Sequence, residues 1–131
     1  KYGVAVIDCL SGWQQFNNTD SFKNATYQEV RDMFHMNRNY CSIVAWEPSL
    51  NESGYNQAWA EEVHRISHEE YPEDGDSRIY TGGWRYWNVY DMGVGTPQAN
   101  VIGDAATYSD KPVIVASTAI GTMAATPPPP V

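Results

Sequence analysis

Basic residues are scarce. Eight Lys and Arg stand against sixteen Asp and Glu, a formal net charge of −8, and the eight are scattered singly along the chain. No basic patch is available to neutralise a nucleic-acid backbone or an anionic membrane surface, so neither is an expected partner. Long apolar runs are also missing: Val4 to Ile7, Ile43 to Trp46 and Val113 to Ala116 are the longest, far short of the ~20 residues of a spanning helix. A soluble chain is expected. Two cysteines, Cys9 and Cys41, are too few for a disulfide framework or a zinc site. The chain opens at Lys1, with no Met and no signal-peptide pattern, and reads as a processed product or a piece of something longer. What remains is a 131-residue chain, 42% hydrophobic and 13% aromatic, enough for one modest core.

Val4 to Ile7 is a short apolar run followed by Ser11-Gly12, the pattern of a strand buried on both faces. Capping residues at 17–20 precede Phe22, Tyr27, Val30, Met33 and Phe34 at mostly helical spacing, which predicts an amphipathic helix. Cys41 to Trp46 predicts a second buried strand, closed by Pro48. Tyr55, Trp59, Val63 and Ile66 mark one face of a second helix ending near Tyr71-Pro72. Ser77 to Thr81 predicts a third strand, the region 87–94 a fourth, 97–102 a helical turn or two, and Pro112 to Ala116 a last strand. This alternation implies βαβ crossovers, and hence an α/β fold with a mainly parallel sheet. A closed eight-stranded barrel takes about 250 residues, so the expectation is a partial (β/α) TIM-barrel segment over 1–115. The tail at 116–131 carries small residues and then Pro127 to Pro130, and is expected to be a low-complexity, extended segment. Cys9 near one strand's end and Cys41 at the next one's start would lie roughly 15 Å apart or more. Both thiols are expected free.

In parallel sheets, chemistry gathers in loops at the carboxyl ends of strands. The loop after Trp46 presents Asn51 and Glu52 just before a helix, with Tyr55 and Trp59 following. An acid in aromatic surroundings has its charged form disfavoured, which suits a general acid. The same pair is also the ordinary pattern of a helix-capping Asn with a first-turn Glu.

The stretch from Val30 through Arg31-Asp-Met-Phe-His-Met-Asn-Arg-Asn-Tyr-Cys-Ser-Ile-Val-Ala-Trp46 to Asn51-Glu52-Ser53 resembles the catalytic barrel of glycoside hydrolase family 2, the β-galactosidase and β-glucuronidase family. Gly12-Trp13-Gln14, Gly82-Gly83-Trp84 and Lys111-Pro-Val-Ile-Val115 extend the resemblance over roughly 1–115. The chain departs from the family at Tyr40-Cys41, where His-Pro is usual, and at His35-Met36-Asn37, where basic residues are usual. The resemblance implies a retaining β-glycosidase fragment running from about the third to the seventh barrel strand. It implies Glu52 as general acid/base and Asn51 as donor to the sugar 2-hydroxyl, with carbohydrate as partner and no cofactor or metal.

A retaining enzyme also needs a carboxylate nucleophile about 5–5.5 Å from the acid. The family carries it after the seventh strand, in a phrase like Val-Arg-Glu-Tyr-Gly-Asp-Trp, whereas here Val115 is followed by Ala-Ser-Thr-Ala-Ile-Gly. The nucleophile is missing. Reading the third base of each codon with the first two of the next, from Val115 to Gly121, the fixed bases permit Arg-Glu-Tyr-Gly-Asp-Trp, so the tail reads as a frameshifted strand end. The chain is therefore expected to be inactive alone, with open strand edges that favour self-association or pairing with another chain.

Aromatic rings stack on sugars, and the chain holds five Trp and nine Tyr. Trp13, Trp84 and Trp87 fall in loops near the functional end, as substrate-binding candidates or as core and rim packing. His64 and His68 have zinc-capable spacing but lack the metalloprotease Glu and lie off the apolar stripe, so they read as a solvated face. Glu73-Asp-Gly-Asp76 reads as an acidic turn rather than a calcium loop. Asn17, Asn24 and Asn51 match the glycosylation acceptor pattern. The competing reading is a non-catalytic extracellular carbohydrate-binding or structural protein. An extracellular or periplasmic setting is favoured over a cytoplasmic one.

Overall fold

The computed structural model describes residues 3–12, 15–49, 53–71, 78–82, 86, 88–91, 93–95 and 113–115. Trp13, Asn51, Glu52, Trp84, Trp87, the turn expected at 97–102 and the tail at 116–131 lie outside the described residues.

Thr19 opens the first helix, α1 (Asp20–Asn37): its hydroxyl accepts from the Phe22 amide, and Asp20 places an acid in the first turn. Both features satisfy or complement free amides at a helix start. The helix buries Thr26, Val30, Met33 and Phe34. Asn56 caps α2 (Gln57–Glu70) in the same way, accepting from the Trp59 amide at 2.9 Å. Tyr55 precedes the cap rather than riding on the helix, yet it packs on Trp59 with ring centroids 4.9 Å apart. The two helices are joined by Trp59, whose indole donates to Thr26 Oγ1 at 3.0 Å inside the core. On the surface Arg31 meets Glu70 at 2.6 Å.

Three parallel strands, β1 (Val6–Cys9), β2 (Ile43–Glu47) and β3 (Ile79–Tyr80), form one sheet in that order. A second parallel pair joins β4 (Gly93–Gly95) to β5 (Val113–Val115). The expected α/β alternation and parallel pairing are therefore present. The expectation that β1 is buried on both faces is not met: Val4 and Val6 are 67% and 40% exposed. The same exposure reaches the central strand, where Val44 is 48% exposed, whereas Tyr80 on the other outer strand is fully buried, so what decides it is the cover over each face and not the place in the strand order.

The β1–β2 register breaks once, from Val6 opposite Ile43 to Ile7 opposite Ala45, leaving Val44 as an extra residue. Strict alternation would put Ile43 and Ala45 on one face. With Val44 bulged out and 48% exposed, Ile43 joins the large core with Phe34, Trp46 and Trp59, while Ala45 packs with Ile7 and Ile79 in a separate small cluster. Trp46 is fully buried, its ring 4.6 Å from Phe34 and under the Arg78 guanidinium at 5.3 Å. Arg78 also donates to the Arg38 carbonyl at 2.9 Å, closing the end of α1.

Cys9 and Cys41 are both free, as expected. Among the described residues no helix is long and apolar enough to cross a membrane.

Thr26→Val keeps the size of the side chain but strands the buried Trp59 N–H. It is expected to lower unfolding free energy by about 1–3 kcal/mol, measured by urea denaturation of the two chains side by side.

Candidate functional site

The carboxyl ends of β1, β2 and β3 lie side by side, because parallel register carries Cys9 opposite Glu47 and Trp46 opposite Tyr80. Backbone bonds continue past the strands: Leu10 N–H donates to the Glu47 carbonyl at 3.0 Å, and Thr81 N–H to the Trp46 carbonyl at 2.8 Å. The loops that follow these strands in sequence carry all five candidate residues. None of the five is itself described, but their flanks are. Asn51 and Glu52 fall between Ser49 and Ser53, which are 1% and 2% exposed. Trp84 and Trp87 flank Tyr86, which holds a left-handed φ of 52° and donates its hydroxyl to the Tyr55 carbonyl at 3.1 Å. Tyr55 in turn donates to the Gly82 carbonyl at 3.0 Å. The start of α2 and the loop after β3 are thus tied together at this end of the sheet.

Glu47 was not singled out from the sequence, and it is a buried acid at this strand end. Burial pushes its carboxyl up to about 7 against the hydrogen bonds that favour the anion, from the Cys9 thiol at 3.6 Å and the Ser49 hydroxyl at 3.4 Å. Burial likewise pushes the Cys9 thiol up, and the carboxyls of Glu47 and Asp8 push it further. Cys9 is therefore an inert thiol rather than a nucleophile. The available signal was a lone acid between Trp46 and Pro48 in an otherwise apolar strand. On β1, the neighbouring Asp8 accepts from the Asn37 amide at 3.0 Å, anchoring the sheet to the end of α1.

The structure corrects the reading of His64 and His68 as a solvated face. Both are half-buried, and Asp91 lies against them: His64 Nε2 is 3.3 Å from Asp91 Oδ1, His68 Nε2 is 3.9 Å from Oδ2, and the two Nε2 atoms are 3.0 Å apart. The stripe seen in the sequence was too narrow. Ala60 and Ser67 are also buried, so the packed arc of α2 reaches the flank that carries the two histidines. Burial opposes ionisation of Asp91, but the hydrogen bonds from His64 and the Tyr80 amide outweigh it and hold the carboxyl below its usual range.

No protein-family model matches the chain. Over 84 residues, 64% of its length, the chain is 32% identical to a β-galactosidase of Thermoanaerobacterium thermosulfurigenes. Over 108 residues it is 26% identical to a β-galactosidase of Thermoanaerobacter pseudethanolicus. The fold matches part of a solved Bacteroides uniformis β-glucuronidase 2, covalently bound to cyclophellitol-6-carboxylate aziridine, with a TM-score of 0.59 at 16% identity over 86% of this chain. The chain is similar to a segment of a family 2 glycoside hydrolase. The chain spans only 11% and 12% of the two curated relatives and 17% of the glucuronidase chain. The resemblance read from Val30 to Ser53 is borne out at that level.

A Glu47 proton held to about pH 7 in the fold but lost near 4.5 when unfolded makes the folded state bind more protons between those values. Stability then falls as pH rises through that window and levels off above it. Glu47→Gln should abolish this slope and raise stability at pH 8, by up to on the order of 3 kcal/mol, with little gain below pH 4.5. Thermal melts of both chains from pH 4 to 8 test this.

Proposed function

We propose that this chain is a partial (β/α)-barrel segment of a retaining β-glycosidase, carrying the acid/base half of the catalytic pair on Glu52 and lacking the nucleophile. The observation that carries the reading is the position of Asn51-Glu52. The pair follows β2 at the carboxyl end of a parallel sheet, between two buried serines, in a chain with β-galactosidase relatives. Glu52 would protonate the leaving oxygen and then activate water, and Asn51 would donate to the sugar 2-hydroxyl. Trp13, Trp84 and Trp87, in the loops after β1 and β3, would offer faces to the sugar rings. Glu47 supports this reading by contrast. It is enclosed at its own strand end, where its carboxyl oxygens accept from Cys9 and Ser49 rather than facing a substrate.

The segment at 116–121, Ala-Ser-Thr-Ala-Ile-Gly, supplies no carboxylate after β5, and one of the two groups required for retention is absent. The barrel portion is 1–115 and the tail 116–131 a frameshifted continuation. The coding sequence tests this point: third bases from Val115 to Gly121 that spell Arg-Glu-Tyr-Gly-Asp-Trp with the following pairs support it, and any other set overturns it.

Purified chain and Glu52→Gln are expected to leave a panel of aryl β-glycosides unhydrolysed alike. Turnover in the parent that is lost in the mutant overturns the assignment of inactivity. Glycan binding that survives Glu52→Gln would move the function to carbohydrate binding. The exposed apolar side chains of Val4, Val6 and Val44, with the open edges expected of a partial sheet, are expected to drive self-association or pairing with another chain. Mass measured by light scattering should rise with concentration, and a constant monomer mass overturns that expectation.

A further inference from the structure

We propose that His64, His68 and Asp91 form a binding site for a zinc-like divalent transition metal. The two imidazoles project from successive turns of α2, and the carboxylate comes from the segment just before β4. His64 Nε2 lies 3.0 Å from His68 Nε2 and 3.3 Å from Asp91 Oδ1, the other carboxylate oxygen, Oδ2, is 3.9 Å from His68 Nε2, and one ligand atom from each group lies within 4.8 Å of the other two. Four ligands placed tetrahedrally at 2.0–2.1 Å from zinc are about 3.3 Å from one another, close to both distances from His64, so a small inward shift of the carboxylate and His68 would close three ligands around one ion. Nitrogen and carboxylate donors with an open fourth position are a zinc set.

Each donor is already aimed. Asp91 is fixed by a reciprocal backbone link, its amide donating to the Tyr80 carbonyl at 3.1 Å while its Oδ2 accepts from the Tyr80 amide at 3.1 Å. This leaves Oδ1 toward His64. The His68 ring sits edge-on to Tyr80 with centroids 4.5 Å apart, and His64 is edge-on to Tyr90 at 5.4 Å. The two imidazoles stand at 88° to each other. Supports of this kind hold metal ligands in place.

Protons alone satisfy the cluster poorly. His64 Nε2 offers either one hydrogen or one lone pair, and it faces both a carboxylate oxygen and a second imidazole nitrogen. As a donor it must divide one hydrogen between them; as an acceptor it turns a lone pair toward an anion. A cation between the three groups takes a lone pair from each. The side chains are 20%, 31% and 28% exposed, which leaves a route from solvent for the ion and for a fourth, water ligand. The bound ion would clip α2 to the segment leading into β4, and it would stabilise the fold by binding it in preference to the unfolded chain.

Cobalt(II) is the probe, because its visible bands report a site of low coordination and a near-ultraviolet band would report thiolate. The full chain should take up one equivalent of Co2+ with visible bands and no thiolate band, and Zn2+ should displace it and raise Tm. His64→Gln, His68→Gln and Asp91→Asn should each weaken binding by about 10–100-fold, at least the loss seen for outer supports of a metal site. Circular dichroism without metal identifies which variants are folded, and His68→Gln, the most exposed of the three positions, is the least disturbing. Cys41→Ser should bind as the parent does. Absence of saturable one-equivalent binding by the parent, unchanged affinity in folded His68→Gln, or a thiolate band would each overturn the site.

Discussion

Everything described in the sheet and the two helices depends on Trp46. Its backbone carbonyl takes the Thr81 amide and so fixes β3 beside β2. Its ring, with none of its surface exposed, receives Phe34 from α1 and lies with Tyr71 beneath the Arg78 guanidinium. One residue thereby sets the sheet register and the seat of α1 together. Because the strands are parallel, fixing them at this point also fixes which loops leave the same end.

Two acids follow closely in sequence at and after that strand end, Glu47 and Glu52. Glu47 points into protein, where desolvation keeps its proton to near neutral pH even though the Cys9 thiol and the Ser49 hydroxyl both donate to its oxygens. Glu52, the acid proposed for chemistry, stands five residues on in the sequence, after Pro48 and buried Ser49. A raised carboxyl is therefore not by itself the mark of a catalytic acid. Glu47, enclosed and held away from solvent, costs stability above neutral pH instead.

Much of this was legible from residue order. Thr19 as a cap, the Val30, Met33 and Phe34 face, the Trp59, Val63 and Ile66 face and the strand ending near Trp46 follow from spacing and capping chemistry, and they fall where that chemistry requires. The relation to family 2 was legible from local phrases such as Trp46 to Ser53. Three features were not. The exposure of Val4 and Val6 depends on what covers each face of the sheet, a tertiary fact that periodicity does not carry. The burial of Glu47 depends on Cys9 from another strand. The meeting of His64 and His68 with Asp91 depends on a residue 23 or more positions away, brought in by the Tyr80 backbone. The proposed site residues Glu52, Asn51, Trp13, Trp84 and Trp87 rest on sequence and on their anchored flanks.

The extra residue at Val44 has a consequence for how this sheet tolerates change in length. Beyond it the ladder runs unbroken, Ile7 with Ala45, Asp8 with Trp46, Cys9 with Glu47. The bulge absorbs a mismatch of one residue between two neighbouring strands before that mismatch can reach the far end. Gains and losses of a residue at the amino end are confined there, and the opposite rim of the sheet keeps its alignment. The strand thus behaves as a ruler read from its carboxyl end, with its slack stored at the other.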